Sequence, residues 1–352
     1  MSTSESTSES TSADDPGPGA GGLRADLVLE GGGVKGIGLV GAISVLEERG
    51  YRFNRVAGTS AGSIVGALVA AGMDSAGMQE VMRTVEYSRF QDAAGLARFG
   101  MVGKASSLMF RQGIYNGDYL KTWLSETLSP LGVTTFGDLP RVDSASTEAI
   151  ADTDYRLVVM ASDVSAGSLR RLPWELRTGY GADPHDFPVV EAVRASMSIP
   201  FFYRPATIAG SDKSNSWLVD GGMLSNFPVA IFDQHKGQPP RWPTFGIKLS
   251  ARPREKTVNK VTGTFSLAKG MLGTMTGWYD QQYVSEKSVQ ARTIFVDTFD
   301  VKATDFNLTR DIADRLFQSG RKAATAFLDG TDDSPGWNFD TYKRTFRPET
   351  DT

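Results

Sequence analysis

Gly58-Thr59-Ser60-Ala61-Gly62 decides the fold. Residues 51–57 before it can form a strand. Residues 63–71 after it are small, apolar and helix-like, and Gly72 closes them. The order is strand, sharp turn, helix, with a serine at the apex, which is the context of a nucleophile elbow. A serine on such a turn sits in strained backbone. Bulky side chains two residues away on either side would collide with the neighbouring strand or helix, and Gly58 and Gly62 remove those collisions. Ser60 then presents its hydroxyl at the N-terminus of the following helix, where the dipole favours developing negative charge. The five residues alone also suit a plain strand–helix turn, since glycine and serine are both common in turns.

On the N-terminal side, residues 25–30 read as a strand with a short apolar centre. Gly31-Gly32-Gly33-Val34-Lys35-Gly36 follows, and residues 37–49 are helix-like up to Gly50. A glycine-rich loop between strand and helix is built to present backbone N–H groups to an anion. Gly31, Gly33 and Gly36 also satisfy G-x-G-x-x-G, so a dinucleotide site is the alternative. That site needs an acidic residue at the end of the second strand. Here the second strand runs into Val56-Ala57-Gly58 and the serine turn. Lys35 precedes Gly36 rather than Ser or Thr, so the loop is no Walker A either. An oxyanion hole fits the loop better, because glycine amides can approach a tetrahedral intermediate unobstructed. Lys35 would add positive charge beside it; a solvated lysine at a helix start is the plainer account.

On the C-terminal side, Trp217-Leu218-Val219-Asp220-Gly221-Gly222 is an apolar run ending in a carboxylate and a glycine turn. A carboxylate there can face a pocket at the carboxyl edge of a parallel sheet. Taken alone, Asp-Gly-Gly is commonly just a turn.

The whole chain sets limits on function. It has 352 residues, 40% hydrophobic and 22% charged, which is ordinary globular usage for one large or two modest domains. Net charge is −4, and no long Lys/Arg cluster suggests nucleic-acid binding. The absence of cysteine excludes disulfides, thiolate catalysis and Cys-ligated zinc. Residues 1–22 are Ser/Thr/Glu repeats followed by Pro and Gly, without the apolar centre of a signal peptide, and are expected to be disordered. No apolar run approaches the ~18 residues that span a bilayer. A cytoplasmic location is expected, with peripheral contact at the membrane.

Glu30 to Gly36, Gly58 to Gly62 and Asp220 to Gly222, in this order and spacing, resemble the motifs of the patatin-like phospholipase family. Ala195-Ser196-Met197-Ser198-Ile199-Pro200 resembles the family's stretch upstream of its catalytic aspartate. Asp305-Phe306-Asn307-Leu308 with the helix after it resembles the end of bacterial members. The resemblance covers residues 23–330 as one domain, between the tail at 1–22 and a polar extension at 331–352. It implies an α/β/α sandwich around a central, largely parallel sheet. It further implies a Ser–Asp dyad with Ser60 as nucleophile and Asp220 as general base. Gly31, Gly32 and Gly33 would supply the oxyanion N–H groups, and neither cofactor nor metal is required.

The two histidines bear on that mechanism. Ser60, Asp220 and His235 follow the chain order of a hydrolase triad. His235 and His185 both lie in polar, loop-like stretches, which favours the dyad. Residues 96–110 and 262–283 mix large apolar side chains with glycines, the second at helical spacing. They are expected to be core-facing helices, or else a cover over an acyl pocket. The expected activity is serine-dependent hydrolysis of phospholipid or another acyl lipid, with transient membrane-surface contact. The alternatives are an esterase or thioesterase on soluble substrates, and a lipid-binding signalling module.

Overall fold

Ala25 to Leu29 carries no polar–apolar alternation beyond Asp26, as expected of a strand covered on both faces. It forms most of β1 (Leu23–Leu29). The computed structural model describes residues 22–92, 113–139, 154–210, 214–233, 240–249, 270 and 286–348. Its other strands include β2 (Tyr51–Thr59), β3 (Gly113–Tyr115), β4 (Leu157–Asp163), β5 (Ser168–Leu172), β6 (Phe201–Tyr203), β7 (Ala206–Ala209), β8 (Asn215–Asp220), β9 (Thr244–Lys248) and β10 (Thr293–Phe295). The helices used below are α1 (Ile37–Glu48), α2 (Ala61–Ala70), α3 (Ser75–Thr84), α4 (Asp118–Leu128), α5 (Leu176–Tyr180), α6 (Val189–Ser196), α7 (Lys287–Gln290), α8 (Arg310–Asp329) and α9 (Phe339–Phe346).

The main sheet has the order β10-β9-β1-β2-β4-β8-β7, with β5 paired to β4. The run from β10 to β4 is parallel; β5, β7 and β8 pair antiparallel. Alternate residues of the central strands enter two separate cores. Leu27, Leu29, Val56, Leu157 and Val159 pack on one face with apolar residues of α1, α2, α6 and α8. Val28, Ala57, Val158 and Met160 pack on the other with Phe227, Val229, Phe232 and Val289 of α7. The protein is thus an α/β fold in which a mostly parallel central sheet is flanked by helices.

One pairing detail places the site. On one edge of β4, Val159 to Asp163 pair with β5. On the opposite edge, Leu157 to Met160 pair with β2, and Ala161 to Asp163 pair with β8. Two strands therefore share an edge in succession. Thr59 lies opposite Met160, and Asp220 lies opposite Ala161. Consecutive residues of β4 thus bring the end of β2, which leads into Ser60, beside Asp220, 160 positions after that serine.

Helix α3 begins at Ser75, because the Asp74 carboxylate accepts from the Gly77 amide and caps it. It ends at Thr84, and Tyr87–Phe90 is a short 3-10 turn. The extension after residue 330 is structured as far as it is described: Gly330–Thr331 pairs with Ser334–Pro335, and α9 follows, capped by Asn338. Trp337 stacks on Phe327 at 5.4 Å and meets Phe245 edge-on at 5.2 Å, so this segment packs against β9 and α8. Its contacts come from residues remote in sequence, which periodicity cannot report. The stretch 96–110 lies outside the described residues, as does 262–283 except for residue 270. Among the described residues, no helix is long and apolar enough to cross a membrane.

Candidate active site

Ser60 sits between β2 and α2 with φ 52° and ψ −125°, a conformation that costs a non-glycine residue roughly 1–3 kcal/mol. The flanking glycines hold it there. A Cβ on Gly58 would lie 2.2 Å from the Gly62 carbonyl oxygen, and one on Gly62 would lie 2.3 Å from that of Leu29. The elbow therefore packs backbone to backbone against the end of β1, where a side chain at Gly58 or Gly62 would force the chain apart. Leu29 and Gly58 are paired in the ladder, so the loop after β1 starts beside the turn after β2.

The Ser60 hydroxyl donates to Asp220 Oδ2 at 2.7 Å, with both residues buried. Asp220 Oδ1 accepts from the Gly222 amide at 2.7 Å. Burial pushes the Asp220 carboxyl up from 3.8 to about 6; the hydrogen bonds from Ser60 and Gly222 oppose that rise. A carboxylate of raised basicity, bonded to a hydroxyl at a helix N-terminus, can take that hydroxyl's proton. The methionine sulfur of Met197 lies 3.4 Å from the same hydroxyl oxygen.

The three loop glycines are not equivalent. The Gly31 amide donates to the Asn226 carbonyl at 3.2 Å, and Asn226 Nδ2 donates back to the Gly31 carbonyl at 3.1 Å. A Cβ on Gly31 would lie 3.1 Å from Ser60 Cβ, so this backbone borders the serine. Among the described residues, none accepts from the amides of Gly32 and Gly33. Gly33 has φ +57°, and the Val34 amide next to it donates to the Ala303 carbonyl at 3.1 Å.

Lys35 turns back along the loop and donates to the Leu249 carbonyl at 3.3 Å. Burial holds its ammonium below the usual lysine range; Glu30 opposes this and Lys248 adds to it. The Glu30 carboxylate pairs with the Lys248 ammonium and accepts from the Leu249 amide. The end of β9 thus clasps the glycine loop at both ends.

His185 is exposed, on a turn where its carbonyl accepts from the Gly137 amide. His235 lies outside the described residues. Sequence reasoning missed three contributors: Ser196, whose hydroxyl accepts from the Ser60 amide at 2.9 Å; Asn226; and the Glu30–Lys248 pair. Ser196 and Asn226 stand in or near recognisable stretches, but nothing in their spacing shows which way their side chains face.

A family model for patatin-like phospholipase matches residues 27–233, from β1 past the strand that carries Asp220. The chain belongs to the patatin-like phospholipase family. This patatin-like protein is a hydrolase by that membership. It is 35% identical to the protein YqhO of Bacillus subtilis (strain 168), over 87% of this chain and 98% of that one. It is 29% identical over 226 residues to lysophospholipase nte1 of Aspergillus fumigatus, a match spanning 61% of this chain and 11% of the fungal one. Among solved structures it is similar to VipD from Legionella pneumophila, with TM-score 0.49 and 18% identity over 88% of this chain and 67% of that one.

Proposed function

We propose that this patatin-like protein is a serine-dependent lipid acyl hydrolase that cleaves fatty acyl esters of phospholipids through a Ser60–Asp220 dyad. The observation that carries the proposal is the 2.7 Å hydrogen bond between the strained serine and the buried aspartate. Family membership and a relative named as a lysophospholipase support the substrate class.

Ser60 Oγ attacks the acyl carbonyl carbon while Asp220 Oδ2 takes the hydroxyl proton. The amides of Gly32 and Gly33 receive the oxyanion; Gly31, whose amide is bound to Asn226, shapes the turn. Lys35 gives the loop electrostatic support from behind. As the tetrahedral intermediate collapses, the ester bond breaks and Asp220 returns its proton to the departing alcohol. An acyl group remains on Ser60. Asp220 then takes a proton from a water, which attacks the acyl carbon. As this second intermediate collapses, the acyl–oxygen bond to Ser60 breaks, Asp220 returns the proton to Ser60 Oγ, and the fatty acid leaves. The substrate reaches the dyad through transient contact with a membrane surface.

Mass spectrometry of phospholipid vesicles incubated with wild type and Ser60→Ala tests the proposal. Free fatty acid with the matching lysophospholipid is expected from the wild type alone. Cleavage confined to soluble esters or thioesters would favour the esterase alternative. Unchanged lipids from both proteins would favour a lipid-binding module.

The base also sets a pH dependence. Only ionised Asp220 can accept the Ser60 proton, so kcat/KM should be level well above pH 6. It should fall about tenfold per pH unit below about 6, provided the protein stays folded. A flat profile between pH 4.5 and 8 would remove Asp220 from the base role.

A further inference from the structure

The dyad residues are held from one side by a single short segment. The Ser60 amide donates to Ser196 Oγ at 2.9 Å, and the Asp220 amide donates to the Ser198 carbonyl at 2.9 Å. Met197, between them, faces the nucleophile's hydroxyl. Residues 196–198 thus touch both partners, and their placement sets the distance between hydroxyl and carboxylate.

Arg194 fixes that segment. Its guanidinium is buried and donates from Nη1 to Ser198 Oγ. Nη2 donates to the Asn116 carbonyl and, at 2.8 Å, to that of Arg204. Ser198 Oγ donates back to the Arg194 carbonyl at 2.8 Å. Among the described residues, no carboxylate lies in ion-pair contact with it. A buried guanidinium without a carboxylate is costly, and an apolar residue would fill the space more cheaply. What the arginine supplies is geometry: a rigid fork of donors that ties three chain segments to one point. Ser196 does the same for the elbow. Its hydroxyl accepts from the amide of the strained Ser60, the residue that caps α2.

We propose that Ser196 and Arg194 are positioning residues for ester hydrolysis: Ser196 holds the nucleophile's backbone, and Arg194, through Ser198, holds the segment that anchors Asp220. The proposal rests on the Ser60–Asp220 mechanism above. Neither side chain contacts the acyl group; both act by keeping hydroxyl and carboxylate in bonding distance.

The test compares full-length wild type, Ser196→Ala, Ser196→Thr, Arg194→Gln, Ser198→Ala and the Arg194→Gln/Ser198→Ala double variant. It reads kcat and KM on p-nitrophenyl butyrate, and the rate of covalent labelling of Ser60 by a fluorophosphonate. A displacement of about 1 Å at a reacting pair costs roughly 10²-fold, so Ser196→Ala and Arg194→Gln should lose about that factor in kcat and in labelling. KM should stay within about threefold, because binding is not what they remove. Ser196→Thr, which restores the hydroxyl, should recover most of the rate. The double variant should be no slower than Arg194→Gln, since both changes break one link. Should Arg194→Gln fail to fold, Ser198→Ala alone carries the same expectation with a smaller loss, because the guanidinium keeps its two carbonyl acceptors. Wild-type kcat and labelling in folded Ser196→Ala, or losses that add and simply follow melting temperature, would overturn the proposal. Wild type that labels at Ser60 but hydrolyses neither p-nitrophenyl butyrate nor phospholipid vesicles would sink the acyl-hydrolase function and leave positioning readable by labelling rate. Wild type that does not label at Ser60 would overturn both.

Discussion

Folded Asp220→Asn is expected to lose hydrolysis by roughly 10²–10⁴-fold, the contribution of a general base, while becoming no less stable at neutral pH. Asparagine can keep both polar contacts: its carbonyl can accept from the Gly222 amide, and its amide can donate to Ser60. What disappears is the ability to take a proton. The stability half follows from the raised carboxyl. The native state binds the Asp220 proton more tightly than the unfolded chain does. Its contribution to stability is therefore fully favourable below about pH 4. It declines between about pH 4 and 6 and is lost above that window. The gap between 3.8 and about 6, at ~1.4 kcal/mol per pH unit, corresponds to roughly 3 kcal/mol. The neutral amide escapes it, so the melting temperature of Asp220→Asn should exceed the wild type's at pH 8 and match it near pH 4. Ser60→Ala should lose at least as much activity. The double variant should be little slower than Ser60→Ala, because the two residues act as one unit. Near-normal turnover in folded Asp220→Asn would exclude Asp220 as the base.

The second large effect is expected at Gly33. A Cβ there would lie 1.9 Å from the Ala303 carbonyl oxygen, a backbone atom that no rotamer change can move aside, and φ is +57°. Gly33→Ala must therefore shift the loop or the segment around Ala303. Either shift moves the amides of Gly32 and Gly33, which no described residue accepts from, away from their proposed oxyanion-binding position. Removal of one oxyanion donor costs ~10²–10³-fold in kcat, so a loss in that range is expected with little change in KM. Gly132→Ala separates displacement from backbone strain. Gly132 has φ +73°, but a Cβ there would meet nothing within 4 Å. That variant should lose stability by roughly 1–2 kcal/mol and keep wild-type kcat. Equal losses of kcat in the two variants would mean that strain, not amide placement, is being read.

The sequence by itself determined the elbow, the glycine loop and the strand-end aspartate. Each is a local arrangement in which backbone crowding dictates the residue type. At Gly58 and Gly62 a side chain would strike carbonyls less than 2.5 Å away. Such constraints write themselves into short motifs, and short motifs can be read without a structure. The strands β1 and β2 were legible for a related reason: buried strands need apolar runs, and chain-local patterns record that need.

Only the tertiary structure decided how those pieces meet. That Ser60 and Asp220 share a hydrogen bond follows from β2 and β8 succeeding one another along one edge of β4. That Gly31 spends its amide on Asn226, while Gly32 and Gly33 do not, depends on a contact across 195 residues. Ser196 stands in a stretch that resembles the family's, but which backbone its hydroxyl meets, and that Arg194 ties the same stretch down, appear only in three dimensions. Trp337 looks like part of a polar tail until Phe327 and Phe245 are placed beside it. In each case the determining quantity is a side chain's direction relative to a distant segment. Period and propensity fix which residues share a face of one element, but not which remote atom that face will meet.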